Sequence, residues 1–125
     1  GSLTRFQFNH QLRKLKPHHS RRQVVSERQW RNSYQLSQDQ LNRLEEAEER
    51  MEMLEIDKAE EVLLAMLEED ANCIPVLNNL GHMYGRYLSD FEKAVEYYEK
   101  VLEIEPDNAW ARDERRRYSR YLTYD

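Results

Sequence analysis

Two groups of side chains in this sequence have the residue types that chemistry requires. Carboxylates crowd one short segment, and neighbouring carboxylates can act as general acid and base; they are Glu45, Glu46, Glu48, Glu49 and Glu52. Imidazole and thiol groups can bind zinc or act as nucleophiles, and the candidates are His10, His18, His19 and Cys73.

The spacing of these residues argues against catalysis. On a helix the five glutamates cover several faces, which indicates a solvated surface. No cysteine or carboxylate stands at ligand spacing beside the histidines, and no base is placed to activate Cys73. The sequence also lacks a phosphate-binding loop, a metalloprotease helix and a nucleophile elbow. It therefore predicts a protein that is not an enzyme, with no catalytic residue, no metal and no cofactor.

The elements that carry these residues are predicted to be helices. Apolar residues recur at helical spacing from residue 75 to 87, and Gly81 lies on the apolar face, where a neighbouring helix can approach closely. Asp90 is a suitable N-cap for a second helix over 91–104, which Pro106 ends. We expect Gly81 to face this second helix near Ala94 or Tyr98.

A similar pair of helices precedes this one. The apolar pattern predicts helices at about 38–54 and 58–69, and Ser37 and Gln40 have the spacing of a capping box. After Pro106, Asp107 or Asn108 can cap a last helix that ends near Leu122.

The order of key residues in the second pair resembles the tetratricopeptide repeat, a helix-turn-helix unit of about 34 residues. The residues at its signature positions are Leu80, Gly81, Tyr84, Ala94, Tyr98 and Pro106. The interval from Leu80 to Ala94 is one residue longer than in the family, and we place the extra residue in the turn at 87–89. Ala59 precedes Ala94 by 35 residues, which indicates a second, degenerate copy upstream.

The resemblance implies an all-α fold, a right-handed stack of antiparallel helix pairs (an α-α superhelix). Residues 1–36 would form a separate basic arm, partly helical or flexible, and residues 37–125 the helical domain. Within that domain the resemblance implies repeats at about 38–71 and 74–108, followed by a capping helix at about 108–122.

The resemblance also implies a function, because repeats of this family hold a peptide or a partner helix against a concave surface lined by the first helix of each pair. The expected partner is another protein, and the chain would serve as an adaptor or assembly subunit. By helix phase, the partner-binding candidates are Glu48, Glu52, Asn78, Asn79, His82, Arg86, Asp113 and Arg117. Some family members clamp the C-terminal carboxylate of a partner with two asparagines and three basic residues. Asn79 stands at one asparagine position here, but Glu48 stands at the other and Trp110 stands where a lysine is expected.

Charge is divided along the chain and leaves two alternatives open. Residues 1–36 contain eight basic residues and one acidic residue, a net charge of +7, whereas residues 37–108 carry −14. The basic arm can contact nucleic acid, with Phe6, Phe8, Trp30 or Tyr34 stacking on bases. Alternatively, the helix from Trp30 to Leu44 can form a homodimer seam through Trp30, Tyr34, Leu41 and Leu44.

Composition narrows the class and the compartment. Three glycines and three prolines among 125 residues provide little material for the turns of a β-rich fold. No apolar run approaches the roughly 18 residues that a membrane span needs. A single cysteine favours a reducing intracellular compartment, cytoplasm or nucleus. The leading Gly1-Ser2 is typical of a cloned fragment, so we expect that targeting segments can lie outside it.

Overall fold

The computed structural model describes residues 34–123, and every regular element in that range is helical. The five α-helices are α1 (Gln38–Glu52), α2 (Ile56–Glu69), α3 (Ile74–His82), α4 (Phe91–Ile104) and α5 (Ala109–Leu122). α3 continues into a π-helical turn, Met83–Tyr87. The all-α architecture predicted from the sequence is confirmed for this range.

Three of the five helices, α1, α4 and α5, begin where a polar side chain accepts a hydrogen bond from a backbone N–H group of the first turn. At α1, Ser37 and Gln40 form the predicted capping box: the Gln40 N–H donates to Ser37 Oγ at 3.1 Å, and the Ser37 N–H donates to Gln40 Oε1 at 2.8 Å. Asp90 caps α4 through the N–H of Lys93, and Asn108 caps α5 through the N–H of Ala111. These local bonds explain why the helix starts were readable from the sequence.

Each helix packs against the next one in the chain, and α1 also contacts α3. Because the connections are only three or four residues long, consecutive helices run antiparallel. The buried core takes small or apolar residues from all five helices. Its fully buried members include Leu44, Ala47, Met51, Ala59, Leu63, Leu77, Leu80, Ala94, Tyr98 and Val101.

Gly81 brings α3 and α4 together as the sequence predicted. A Cβ atom at this position would lie 2.7 Å from Cζ of Tyr98, closer than van der Waals contact allows. The Tyr98 ring itself is fully buried. The absence of a side chain at Gly81 is therefore what allows the ring to pack against the α3 backbone.

The predicted basic arm lies outside the described residues, except for residues 34–36. The nucleic-acid hypothesis, which depends on Phe6, Phe8 and Trp30, also falls there. The homodimer seam is wrong in part, because α1 begins at Gln38 and both Leu41 and Leu44 are buried within this chain. Leucines buried in the protomer core are not available to a seam between protomers.

Candidate functional site

The structure separates the eight predicted partner-binding residues by exposure. Glu52, Arg86, Asp113 and Arg117 are exposed, and His82 is partly buried. Three others are buried, with exposed fractions of 1% or less: Glu48, Asn78 and Asn79. A partner at the protein surface can contact the four exposed residues directly.

Asn79 uses its side chain inside the protein. Its Nδ2 group donates to Glu48 Oε2 and to the carbonyl of Pro75, each at 2.9 Å. The bond to Glu48 joins α3 to α1 and stabilises a buried carboxylate. Asn79, which helix phase predicted as a partner-binding residue, is therefore inaccessible to solvent in this conformation. Helix phase gives the direction of a side chain but not what covers it.

His82 lies on the same side of α3 and is neutral. Burial and, as the smaller cause, the positive charge of Arg86 together lower its pKa from 6.5 to about 4. The imidazole ring meets the Tyr87 ring edge to face at 5.7 Å. At neutral pH this residue therefore brings no positive charge to the surface.

The turn that follows α3 is wider than a turn of α-helix. At the π-helical turn, the N–H of Leu88 donates to the carbonyl of Met83, five residues earlier, at 3.2 Å. A π turn accommodates one more residue than an α turn. The extra residue that the sequence placed in the turn at 87–89 is therefore absorbed within the helix, just before that turn.

A second glycine lies in the π-helical turn, four residues after Gly81. A Cβ atom on Gly85 would lie 2.6 Å from Cε2 of Tyr118, so the ring of Tyr118 packs directly against this turn. Two further rings extend the contact, because Phe91 stacks on Tyr118 at 5.8 Å and on Tyr121 at 4.5 Å. This stack joins the start of α4 to the end of α5.

A cleft of about 230 Å³ opens between the π-helical turn and α5. We call it the arginine cleft. Aromatic residues and a glycine form much of its lining, and among residues 34–123 the charged residues that line it are Arg86 and Arg117; the lining is Gly85, Arg86, Ser89, Phe91, Arg117, Tyr118 and Tyr121. Two of the predicted site residues, from different helices, are thus brought together.

Arg117 lies beside the buried carboxylate group of Glu114. Glu114 is only 3% exposed, and its Oε1 lies 3.6 Å from Nε of Arg117. Burial raises the pKa of Glu114, whereas the charge of Arg117 lowers it. The Arg117 side chain remains 63% exposed, so its guanidinium group is positioned by Glu114 and still faces solvent.

Sequence reasoning missed the residues that shape the arginine cleft. Gly85 repeats Gly81 at the four-residue interval that places two residues on one helix face, and this spacing was the available signal. Ser89 has φ of 53°, in the left-handed region, and no residue pattern indicated it. Tyr118 and Tyr121 belong to the helix that the sequence predicted only as a cap on the stack.

The other chemically capable groups are not assembled into sites. Cys73 is buried, and burial raises the pKa of its thiol, which disfavours the reactive thiolate. Within residues 34–123, no three side chains of the His, Cys, Asp or Glu types are grouped so that they can hold a metal ion. None of the helices in the same range has the length and apolar character needed to cross a membrane.

Comparison with known families identifies a tetratricopeptide repeat at residues 74–108. This segment contains α3, the π-helical turn and α4, together with Gly81, Gly85 and Pro106. The resemblance drawn from the signature residues is confirmed for this part of the chain. Searches among curated proteins and among solved structures find no match.

Proposed function

Because the chain contains a tetratricopeptide repeat, we propose that it is a non-catalytic protein-interaction module, an adaptor or assembly subunit that binds a peptide or a partner helix. Repeats of this family generally do no chemistry. The family match at residues 74–108 is the observation that carries the proposal.

The proposed partner surface is the face presented by the first helix of each pair and by α5. Its accessible members are Glu52 on α1, Arg86 at the end of the π-helical turn, and Asp113 and Arg117 on α5. His82 contributes a neutral donor beside Arg86. Acidic and basic groups on one face give a bound peptide a preferred direction.

The buried pair of Glu48 and Asn79 has a different task in this proposal. It connects α1 to α3 through a hydrogen bond of 2.9 Å and so fixes the spacing of the two helices that present the surface. The residue that best separates recognition from stability is therefore an exposed one, not Asn79.

The experiment is a selection of random peptides, displayed on phage, against the intact chain. Selected peptides are then synthesised, and their affinities are measured for the chain and for Glu52→Ala and Asp113→Ala. We expect at least one change to weaken binding about tenfold, or 1.4 kcal/mol. Glu61→Ala and Glu96→Ala remove exposed carboxylates from the second helices and serve as matched controls.

Two outcomes would contradict the proposed function. One is a selection that yields no specific peptide. The other is a set of peptides whose affinity falls only with the control changes on α2 and α4. In the second case the outer face of the stack, not the face of the first helices, would carry recognition.

A further inference from the structure

The arginine cleft has the composition of an anion-binding site, and we propose that it binds a carboxylate of the partner polypeptide. This inference rests on the proposed function and names the chemical group that the partner brings. The carboxylate can come from an acidic side chain or from a chain terminus.

Charge makes the arginine cleft an exception within its surroundings. Residues 37–108 carry a net charge of −14, so most of the helical body repels an acidic ligand. Of the described residues that line the cleft, two are arginines and none is acidic. Guanidinium groups form paired hydrogen bonds with carboxylate oxygens, and an acidic ligand is therefore attracted to this position.

The buried carboxylate of Glu114 reduces the net positive charge that the cleft presents to a ligand. Glu114 lies 3.6 Å from Arg117 and offsets part of its positive charge. Arg86 makes no ion pair with any side chain in residues 34–123. One positive charge is thus left uncompensated, which matches a singly charged carboxylate better than a doubly charged phosphate.

The cleft is built before the ligand arrives. The ring of Phe91 stacks on the rings of Tyr118 and Tyr121, and Tyr118 also stacks on the fully buried Tyr98 at 6.3 Å. Side chains locked in this way lose little freedom when a ligand binds.

The backbone around the cleft departs from regular geometry at two points. The π-helical turn carries Arg86, and Ser89 holds a left-handed conformation. Both features occur often at functional sites, because they aim side chains that a regular helix would direct elsewhere. Here the turn carries Arg86, which lines the same cleft as Arg117.

A second basic cleft provides an internal comparison. It is larger, about 450 Å³, and its lining contains Arg115, Arg116 and Arg120. Glu99 also lines it, so this cleft already holds a carboxylate of the chain. A ligand that followed positive charge alone would prefer the three arginines.

The test is an NMR titration that follows the side-chain N–H signals of arginine and the ring signals of tyrosine. The probe is the tripeptide Ala-Glu-Ala, acetylated and amidated so that its only charge is the side chain. We expect saturable shifts at Arg86, Arg117, Tyr118 and Tyr121. The counterpart Ala-Gln-Ala should produce none, because its amide lacks the charge.

Variants connect the shifts to the two arginines. We expect Arg86→Ala and Arg117→Ala each to weaken the probe about tenfold or more, whereas Arg116→Ala, in the larger cleft, should leave its affinity unchanged. Arg117→Lys keeps the charge but loses the paired geometry, so an intermediate affinity is expected. This variant also preserves a positive partner for Glu114 if Arg117→Ala fails to fold.

A third tripeptide, with a free C-terminus, identifies the source of the carboxylate. An acetylated Ala-Ala-Ala with a free C-terminus binds more tightly than Ala-Glu-Ala if a chain terminus is the natural ligand. The inference fails if Ala-Gln-Ala binds equally well, if Arg115, Arg116 and Arg120 shift first, or if no shift saturates at millimolar probe. If selected peptides bind but ignore Arg86 and Arg117, the proposed function survives and the carboxylate site does not.

Discussion

At the scale of single residues, two glycines determine how closely the aromatic rings approach the first helix of the repeat. Gly81 accommodates Tyr98, and Gly85 accommodates Tyr118. The first contact was predictable, because Gly81 belongs to the family signature. The second depends on the π-helical turn, which shifts the residues after Met83 and brings Gly85 against α5.

We expect Gly85→Ala to destabilise the protein by about 1–3 kcal/mol, the usual cost of overpacking. The added Cβ atom would lie 2.6 Å from Cε2 of Tyr118, a ring that is itself buried. Urea denaturation measures the effect. In a double-mutant cycle with Tyr118→Leu, the cost of Gly85→Ala should shrink because the ring that it meets is gone. An unchanged cost in the Tyr118→Leu background would show that the strain arises elsewhere.

His82 should make stability depend on pH. Its pKa is about 4 in the folded chain and near 6.5 when unfolded, so the unfolded chain takes up the proton first as pH falls. The contribution is complete above pH 6.5 and is lost as pH falls toward 4. Between about pH 7 and pH 5 this amounts to a loss of about 2 kcal/mol.

The difference between the wild type and His82→Gln isolates this effect from the carboxylates that titrate over the same range. Urea denaturation at the two pH values measures it, and the variant should lose less stability than the wild type. Arg86→Ala removes the second cause of the low pKa and should reduce the loss without abolishing it. Equal pH dependence in all three proteins would contradict the assignment.

At the scale of elements, the connection between α1 and α2 contains a strained leucine. The N–H of Glu55 donates to the carbonyl of Arg50, and the N–H of Leu54 donates to Met51, which is the bonding of a Schellman motif. Leu54 occupies the left-handed position with φ of 63°, where glycine is usual, and its side chain is 71% exposed.

Leu54→Gly should therefore stabilise the protein, by about 0.5–1 kcal/mol. The substitution removes the strain at Cβ and gives up few contacts, since the side chain is mostly exposed. Met53→Gly is the matched control: Met53 is also exposed but has φ of −86°, so glycine brings no relief and stability should fall. Thermal denaturation distinguishes the two variants. A lower midpoint for Leu54→Gly would mean that the leucine makes a contact that compensates its conformation.

Much of the element structure was predictable because its signals are local. The predicted helices at 38–54, 58–69, 75–87 and 91–104 end within two residues of the observed bounds. Caps, apolar period and Pro106 all act within one helical turn of the residue that they affect. The π-helical turn was not predictable, because the extra residue can be accommodated either by a longer loop or by a wider helical turn. The structure has the wider turn, in which Tyr118 packs against Gly85.

The candidate site was less predictable than the helices for a related reason. Helix phase correctly grouped Asn79 and Arg86 with the first helix, but it does not reveal what packs over each residue. Asn79 is buried with Glu48 from a helix 31 residues away in sequence, whereas Arg86 is exposed beside Arg117. The packing of α1, α3 and α5 determines which of these side chains is buried and which is accessible to a partner.

At the scale of the whole molecule, α5 closes the end of a stack whose other members are paired. It buries Ala111, Glu114 and Tyr118 against the preceding pair. Its arginines face outward and give residues 109–125 a net charge of +2, opposite in sign to the −14 of residues 37–108. α5 therefore has two tasks: it covers the apolar end, and it supplies one of the two arginines of the cleft.

A chain that ends at Asn108 should show how much the stack depends on this helix. Removing α5 exposes the fully buried Tyr98 and ends the ring stack that includes Phe91 and Tyr118. The loss of one buried aromatic side chain alone costs about 3–5 kcal/mol, a large share of the total stability of a small domain. Terminal helices with a polar outer face also keep repeat proteins soluble. We therefore expect the shortened chain to unfold at a much lower urea concentration or to lose its cooperative transition, as followed by circular dichroism. The control is a chain that ends at Leu122. It lacks only the exposed Thr123 and the two residues after it, so it should match the intact protein.

If the chain ending at Asn108 unfolds at the same urea concentration as the intact one, the helix pairs are stable without a cap and α5 serves recognition alone.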